Sequence, residues 1–424
     1  METFGIRFKF SKKSVLLTML CKFINRKKDV NMQKEMLNFD YYNPTHIIFG
    51  KNRFNELNEV IPQDKKVLIL YGGGSVERFG TLDKVKTALK SREVGEFGGI
   101  EANPTYETLI KAIQLVKEEN YDFLLAVGGG SVIDGTKFVA AGALFDGEPM
   151  DIFGSGIGEK RPITKALPFG TVLTLPATGS EMNSGGVITF VEKKAKLGFG
   201  SAYTYPVFSL LDPELTYTLP KRQLANGIMD AYVHVMEQYM TYPVGALLQD
   251  RYAESLLQTL IEIGPDVIKE DNHDYNTRAT FMWSATNALN GTLSRGVPQD
   301  WASHSLGHEI TALYGIDHAR TLAIVLPSLL NVRRSEKHEK LVQYAERVWG
   351  IKSGSDEEKI DAAILKTREF FESLGAGTRF SDYGLGEEVV DLLVDQLERH
   401  GLTNISERGD QTLEVSRQIY TNAL

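Results

Sequence analysis

Asp230-Ala-Tyr-Val-His234 places a carboxylate and an imidazole four residues apart, so on a helix both side chains leave the same face. His304-Ser-Leu-Gly-His308 repeats that spacing with two imidazoles, and His318 follows in Gly315-Ile-Asp-His-Ala-Arg320. One carboxylate and three imidazoles, with no cysteine nearby, suit a divalent transition metal. Taken singly, each histidine is better explained as a polar core residue, and Asp230 with His234 as a surface pair. As a set they are not. Ile228, Val233, Val235 and Met236 share the helix with Asp230, and a charge held in an apolar wall needs a metal or an opposite charge. Helical spacing leaves open whether His304 or His308 is the ligand.

Two glycine-rich turns carry a second kind of chemistry. Gly72-Gly-Gly-Ser75 and Gly128-Gly-Gly-Ser131 each follow an apolar run that reads as a buried strand. Strand ends are where α/β sheets bind ligands, and amides at a helix start favour anionic oxygens. The second turn leads straight into a helical stretch and suits a pyrophosphate, whereas the first suits the adenosine end of a dinucleotide. Neither is the Gly-x-Gly-x-x-Gly fingerprint, and either alone reads equally well as a structural turn. Pro176-Ala-Thr-Gly-Ser-Glu181 is a third turn, rich in hydroxyls, suited to a ribose or a phosphate.

The elements that must hold these residues fall into two blocks. Strands are predicted at Lys66–Tyr71, Asp122–Val127, Thr171–Leu175, Gly186–Phe190 and Val207–Leu211. Helices are expected at Leu82–Ser91, from Pro104-Thr105 through Val116, and at Val132–Ala143. Strands that are apolar throughout, alternating with helices, indicate a Rossmann-like parallel sheet covered on both faces. From Lys221 on, the pattern is helical: Leu224–Met240, Leu248–Gly264, Asn276–Asn290, Gln299–Tyr314, His338–Gly350, Ala362–Leu374 and Glu387–His400. The boundary is placed near residue 216, giving an α/β nucleotide-binding domain at 37–215 and an all-α metal-binding domain at 216–424. Residues 1–36 stand apart. Arg7, Lys9, Lys12, Lys13, Lys22, Arg26, Lys27 and Lys28 make them basic, and they lack a core periodicity. They are read as a disordered arm or as residues upstream of a start at Met32 or Met36, outside the fold.

Composition narrows the classes. An apolar share of 42%, a charged share of 24% and a net charge of −8 describe a globular protein without a dedicated nucleic-acid surface. No run approaches the roughly 18 apolar residues of a membrane span. The single cysteine, Cys21, excludes an intramolecular disulfide framework and suits a reducing cytoplasm.

From about Leu37 onward the chain resembles the iron-containing (group III) alcohol dehydrogenases, in particular their NADPH-dependent aldehyde reductase and butanol dehydrogenase branch. The motifs that carry the resemblance are Phe49-Gly-Lys51, Gly128-Gly-Gly-Ser-Val-Ile-Asp134, Leu175-Pro-Ala-Thr-Gly-Ser-Glu181, Asp230–His234, Trp301-Ala-Ser-His-Ser-Leu-Gly-His-Glu309 and Asp317-His-Ala-Arg320. The resemblance implies a cleft between the two domains, with Asp230, His234, His304 and His318 binding one Fe²⁺ or Zn²⁺ ion. His308 then stands beside the metal as a proton relay, and Asp134 joins it as a catalytic candidate on the nicotinamide side. For NADP(H) it implies contacts from Gly73, Gly74 and Ser75 at the adenosine ribose, and from Gly129, Gly130, Ser131 and Asp134 at the pyrophosphate. Thr174, Thr178, Asn183, Lys196 and Thr218 are further expected contacts. No acid stands in Tyr71–Ser75 to repel a 2′-phosphate, so NADP(H) is expected over NAD(H), and Gly74→Asp is expected to shift the preference toward NADH. A small aldehyde or alcohol is the implied substrate, and a homodimer the implied assembly. Glycerol dehydrogenase, dehydroquinate synthase and hydroxyacid–oxoacid transhydrogenase share the architecture and are the alternatives, together with a non-catalytic relative that keeps the metal and nucleotide sites.

Overall fold

Val67-Leu-Ile-Leu70 is apolar at every position, so a strand made from it must be covered on both faces. In the computed structural model, which describes residues 35–424, that is its setting. The first block runs β1 (His46–Phe49), α1 (Leu57–Val60), β2 (Val67–Tyr71), α2 (Ser75–Arg78), α3 (Thr81–Ala88), β3 (Val94–Phe97), α4 (Tyr106–Glu118), β4 (Phe123–Gly129), α5 (Gly130–Leu144), β5 (Phe169–Leu175), β6 (Gly185–Phe190), β7 (Ala195–Gly200) and β8 (Phe208–Leu211). Six strands form one parallel sheet in the order β3-β2-β4-β5-β8-β1. The pleat sends Leu68, Leu70, Leu124 and Ala126 to one face, under α4 and α5. Val67, Ile69, Phe123, Leu125 and Val127 go to the other, where Leu57, Leu82 and Val85 of α1 and α3 meet them.

The second block is helical: α6 (Lys221–Tyr239), α7 (Leu247–Val267), α8 (Tyr275–Ala288), α9 (Ala302–Tyr314), α10 (His318–Val332), α11 (His338–Arg347), α12 (Asp356–Ser373) and α13 (Glu388–Arg399). A short hairpin of β9 (Asn404–Ile405) and β10 (Gln411–Thr412) then leads into α14 (Leu413–Asn422). Helix α6 is the axis of this block, buried at every residue from Leu224 to Tyr239 and packed against α7, α8 and α10. The α/β sheet followed by a helical block agrees with the fold class read from the sequence. The basic segment, apart from its last two residues, lies outside the described residues.

Some elements differ from the sequence reading. Gly186–Phe190 is a strand but does not join the parallel sheet. It pairs antiparallel with β7, which the sequence reading missed, and its residues alternate in burial as a one-sided hairpin requires. The edge strands β1 and β3 were also missed. Each has only four residues, and β3 carries Gly95 and Glu96. Helix α10 was missed for the opposite reason: Ala319 through Leu330 is almost wholly buried and contains Pro327, so no amphipathic stripe marks it.

The two blocks meet where α6 crosses the turn after β5. A Cβ built at Gly227 of α6 would lie 2.3 Å from the Pro176 carbonyl oxygen and 2.8 Å from Phe281 Cζ. The nearer obstacle is backbone, which cannot swing aside. Gly227→Ala is therefore expected to lower stability by roughly 1–3 kcal/mol, against the ~1 kcal/mol that alanine's helix propensity alone adds. Thermal denaturation checks this, and an unchanged or raised Tm contradicts the close approach.

Candidate active site

Asp230 and His234 leave one face of α6, His304 and His308 leave α9, and His318 is the first residue of α10. Local bonds set these starts. Gly315 ends α9 in the left-handed region, and the next helix begins after Asp317. The Asp317 carboxylate accepts Arg222 Nε at 2.7 Å and Asn226 Nδ2 at 2.8 Å, which ties the start of α10 to α6. The result is a cluster around one oxygen. From Asp230 Oδ1 the Nε2 atoms of His234, His304 and His318 lie 3.8, 3.9 and 3.7 Å away. Ligand atoms of Asp230, His304 and His318 all fall within 4.8 Å of one another, and His234 Nε2 stands 3.1 Å from His304 Nε2. Trp301 closes one side, its ring edge-on to His304 with centroids 5.4 Å apart.

These groups fit a metal. Asp230 is 3% exposed, and its Oδ1 has no hydrogen-bond partner, an arrangement that leaves a buried carboxylate uncompensated unless a cation faces it. Tetrahedral donors at about 2.1 Å from an ion stand ~3.4 Å apart, close to the spacing seen. Three nitrogens and one carboxylate oxygen suit Fe²⁺ or Zn²⁺. Burial pushes the Asp230 carboxyl up to about 6, with the neighbouring His304 opposing it. Burial likewise holds His234 and His318 well below the usual imidazole range, in the neutral form that ligation requires. His304 differs: burial opposes its charge, but the adjacent Glu237 carboxylate and Asp230 together raise it.

His308 lies one turn further along α9, its ring centroid 5.1 Å from that of His318 and 6.0 Å from that of His304. Burial holds it neutral as well.

A cavity of about 1100 Å³ runs from this cluster to the glycine turns of the sheet, and His308 is on its wall. On the sheet side Gly73, Gly129, Gly130 and Ser131 line it, as do Asp134, Thr178, Asn183 and Lys196. Gly74, Ser75, Thr174 and Thr218, expected from the sequence as cofactor contacts, are not on its wall. Asp134 borders the cavity but is engaged on both oxygens: Ser180 Oγ donates to Oδ1 at 2.5 Å and the Val187 amide to Oδ2 at 2.9 Å. Lys137, a residue missed by sequence reasoning, is buried beneath the same turn. It donates to Ser180 Oγ at 2.7 Å, Asn183 Oδ1 at 3.0 Å and the Gly185 carbonyl at 2.7 Å. A lysine three residues after Asp134, in a helix with no other basic residue, was the available signal. Lys196 reaches the cavity from β7, where its Nζ donates to Asn103 Oδ1 at 3.1 Å. Burial pushes this lysine down to about 8, with Asp230 and Asp134 opposing.

The first turn modifies one expectation. Gly74 sits at φ +88°, and a Cβ there would lie 3.3 Å from Glu77 Oε2, so an aspartate at Gly74 would be strained and repelled. Gly73 has open space around its Cβ position and lines the cavity, which makes it the better place to introduce a charge.

The two-block fold is shared with known proteins. The family model for iron-containing alcohol dehydrogenases matches residues 44–213, and the model for the C-terminal part of the Fe-containing alcohol dehydrogenase family matches 224–413. The NADPH-dependent aldehyde reductase YqhD of Escherichia coli is 56% identical over 92% of this chain and 100% of its own length. A probable NADH-dependent butanol dehydrogenase of Bacillus subtilis is 45% identical over 86% of this chain and 95% of its own. Among solved structures, E. coli YqhD superposes with a TM-score of 0.89 at 55% identity, covering 92% of this chain and 100% of that one. An NADH-dependent butanol dehydrogenase A from Thermotoga maritima superposes at 0.85 with 35% identity, covering 92% and 99%.

Proposed function

The chain belongs to the iron-containing alcohol dehydrogenase family, and from that premise we propose that it is an NADP(H)-dependent oxidoreductase that reduces small aldehydes to primary alcohols at a single divalent metal. The observation that carries this reading is the one continuous cavity joining both glycine turns to the Asp230 cluster. When bound there, the metal supplies Lewis-acid polarisation of a carbonyl oxygen and the reduced nicotinamide supplies hydride. Asp230, His234, His304 and His318 would hold the metal. The Gly129–Ser131 amides at the start of α5 accommodate pyrophosphate oxygens, with the helix dipole favouring their charge. Lys196 adds a cation on the opposite wall. The network of Lys137, Ser180 and Asp134 keeps the Thr178–Asn183 turn against α5, so the cofactor side keeps its shape. Trp301, edge-on to His304, flanks the imidazoles on the cavity wall. His308, neutral on the cavity wall, is the residue that relays a proton to the product oxygen, taking one at its second ring nitrogen. The net change is aldehyde plus NADPH plus a proton to alcohol plus NADP⁺. The test is an aldehyde panel, butanal included, with NADPH and NADH. Butanal-dependent oxidation of NADPH with the higher kcat/KM supports the reading, and a higher kcat/KM with NADH contradicts the cofactor assignment.

Gly73→Asp is expected to lower the NADPH-to-NADH ratio of kcat/KM by at least about tenfold, because unit charges ~4 Å apart at an effective dielectric of about 20 repel by roughly 4 kcal/mol. An unchanged ratio puts the adenosine end elsewhere. A pH effect follows from Lys196. In the cofactor-free protein its folded pKa is about 8, so it is cationic below that pH and neutral above it. A bound metal beside Asp230 shifts that loss of charge to lower pH. Affinity for the anionic cofactor is therefore expected to fall as pH rises through about 8 or somewhat below, and Lys196→Met is expected to remove that step. Fluorescence titration with NADPH across this range checks it, and a step retained in Lys196→Met contradicts the assignment.

Cysteine usage supports a cytoplasmic enzyme. Exposed Tyr42, Leu247 and Leu248, near the 292–297 loop that Leu37, Asp40 and Gln249 contact, support a homodimer. The changeover between the two family models, from residue 213 to residue 224, supports a domain boundary near residue 216. No helix among the described residues is long and apolar enough to cross a membrane.

A further inference from the structure

Asp230, His234 and Glu237 occupy positions i, i+4 and i+7 of α6, one face of the helix. The first two face the metal position, and the third faces α9. Glu237 is buried, and both of its oxygens serve the same residue: Oε1 accepts the His304 backbone N–H at 3.0 Å, and Oε2 bonds the His304 ring at Nδ1. The backbone around this pair is braced. The Glu237 carbonyl accepts the Asp300 amide at 2.9 Å, and Asp300 Oδ1 in turn accepts the Ala302 amide at the start of α9 at 3.0 Å. Asp300 Oδ2 accepts the buried Lys337 Nζ at 2.7 Å. His304 is thus held from its backbone and from its ring by one carboxylate.

A neutral imidazole has one nitrogen that donates and one that accepts, and the partner of the first decides which is which. A carboxylate can only accept, so it demands the proton on Nδ1. We propose that Glu237 is a positioning residue of the metal centre, holding His304 in the Nδ1–H tautomer so that the Nε2 lone pair faces the metal position beside Asp230 Oδ1. This inference rests on the metal-site reading above. Glutamine at 237 has one acceptor for two N–H groups. Its amide must then either abandon the His304 backbone or present an N–H to Nδ1, which puts the ring proton on Nε2 and blocks ligation.

The experiment is a Zn²⁺ titration of the metal-stripped full-length protein against a chromogenic chelator, for wild type, Asp230→Asn and Glu237→Gln, with the Tm of each metal-free protein alongside. Glu237→Gln is expected to weaken Zn²⁺ binding by about 10–100-fold while the metal-free Tm stays close to wild type. A merely structural role would lower Tm and leave the affinity of the folded fraction alone. Affinity within about threefold of wild type overturns the proposal, provided wild type binds one Zn²⁺ in an Asp230-dependent manner. If wild type binds no Zn²⁺, or Asp230→Asn binds as tightly, the metal-site reading itself fails and takes the proposal with it. Should Glu237→Gln not fold, histidine-¹⁵N spectra of Zn²⁺-loaded wild type decide. A low-field Nδ1–H resonance that is missing in His304→Ala supports the proposal, and a His304 ring protonated at Nε2 overturns it.

Discussion

His304→Ala is expected to empty the metal site and abolish aldehyde reduction together. The change removes one of four donors from a cluster in which the His234 and His304 rings already stack with centroids 4.7 Å apart. It also strips Glu237 of its ring partner and leaves a buried carboxylate with only the 304 backbone N–H, a loss on the order of 3–5 kcal/mol if the charge persists. Two penalties thus fall on one site: a missing ligand and a misplaced charge beside it. Lewis-acid stabilisation of several kcal/mol disappears with the metal, and at 1.36 kcal/mol per decade that is roughly three orders of magnitude or more in rate. Metal content by atomic emission and butanal-dependent NADPH oxidation on the same preparation check both halves. Stoichiometric metal with near wild-type turnover contradicts the ligand assignment.

His308→Ala, one turn further along the same helix, is expected to behave differently. Its ring borders the cavity beside His318 and makes no bond to Asp230 or Glu237, so its loss leaves the cluster intact. Metal content is expected to stay near wild type while kcat falls by roughly 10²–10⁴-fold and the pH profile changes, as for loss of a proton relay. Metal loss equal to that of His304→Ala would show that His308 is a ligand. An unchanged kcat would remove it from the proton path.

The contrast between these two histidines marks how far the sequence could be read. Asp230 and His234 were legible because a helix converts a four-residue spacing into a shared face, and both glycine turns because they follow runs such as Leu68–Leu70 that only a covered strand explains. Separating His304 from His308 required a third element, since α6 and α10 decide which ring reaches Asp230. Glu237 was a step of the same periodicity beyond His234, yet it reads as an ordinary polar residue until its partner on α9 is placed. Lys137 escaped for the same reason, because its three acceptors come from a turn some forty residues away. Gly74 and Ser75 belong to a turn that the motif identifies, yet of that turn Gly72 and Gly73 are the residues that line the cavity.

The central claim is that one metal at the Asp230 cluster is required for NADPH-dependent aldehyde reduction. Stripping the purified protein with a chelator and adding back Fe²⁺ or Zn²⁺ in measured equivalents, with butanal and NADPH as substrates, tests it most directly. Activity should vanish with the metal and return to a plateau at one equivalent per chain, with Asp230→Asn inactive throughout. Full activity in the stripped protein, or no NADPH oxidation with one metal bound at this site, would contradict it.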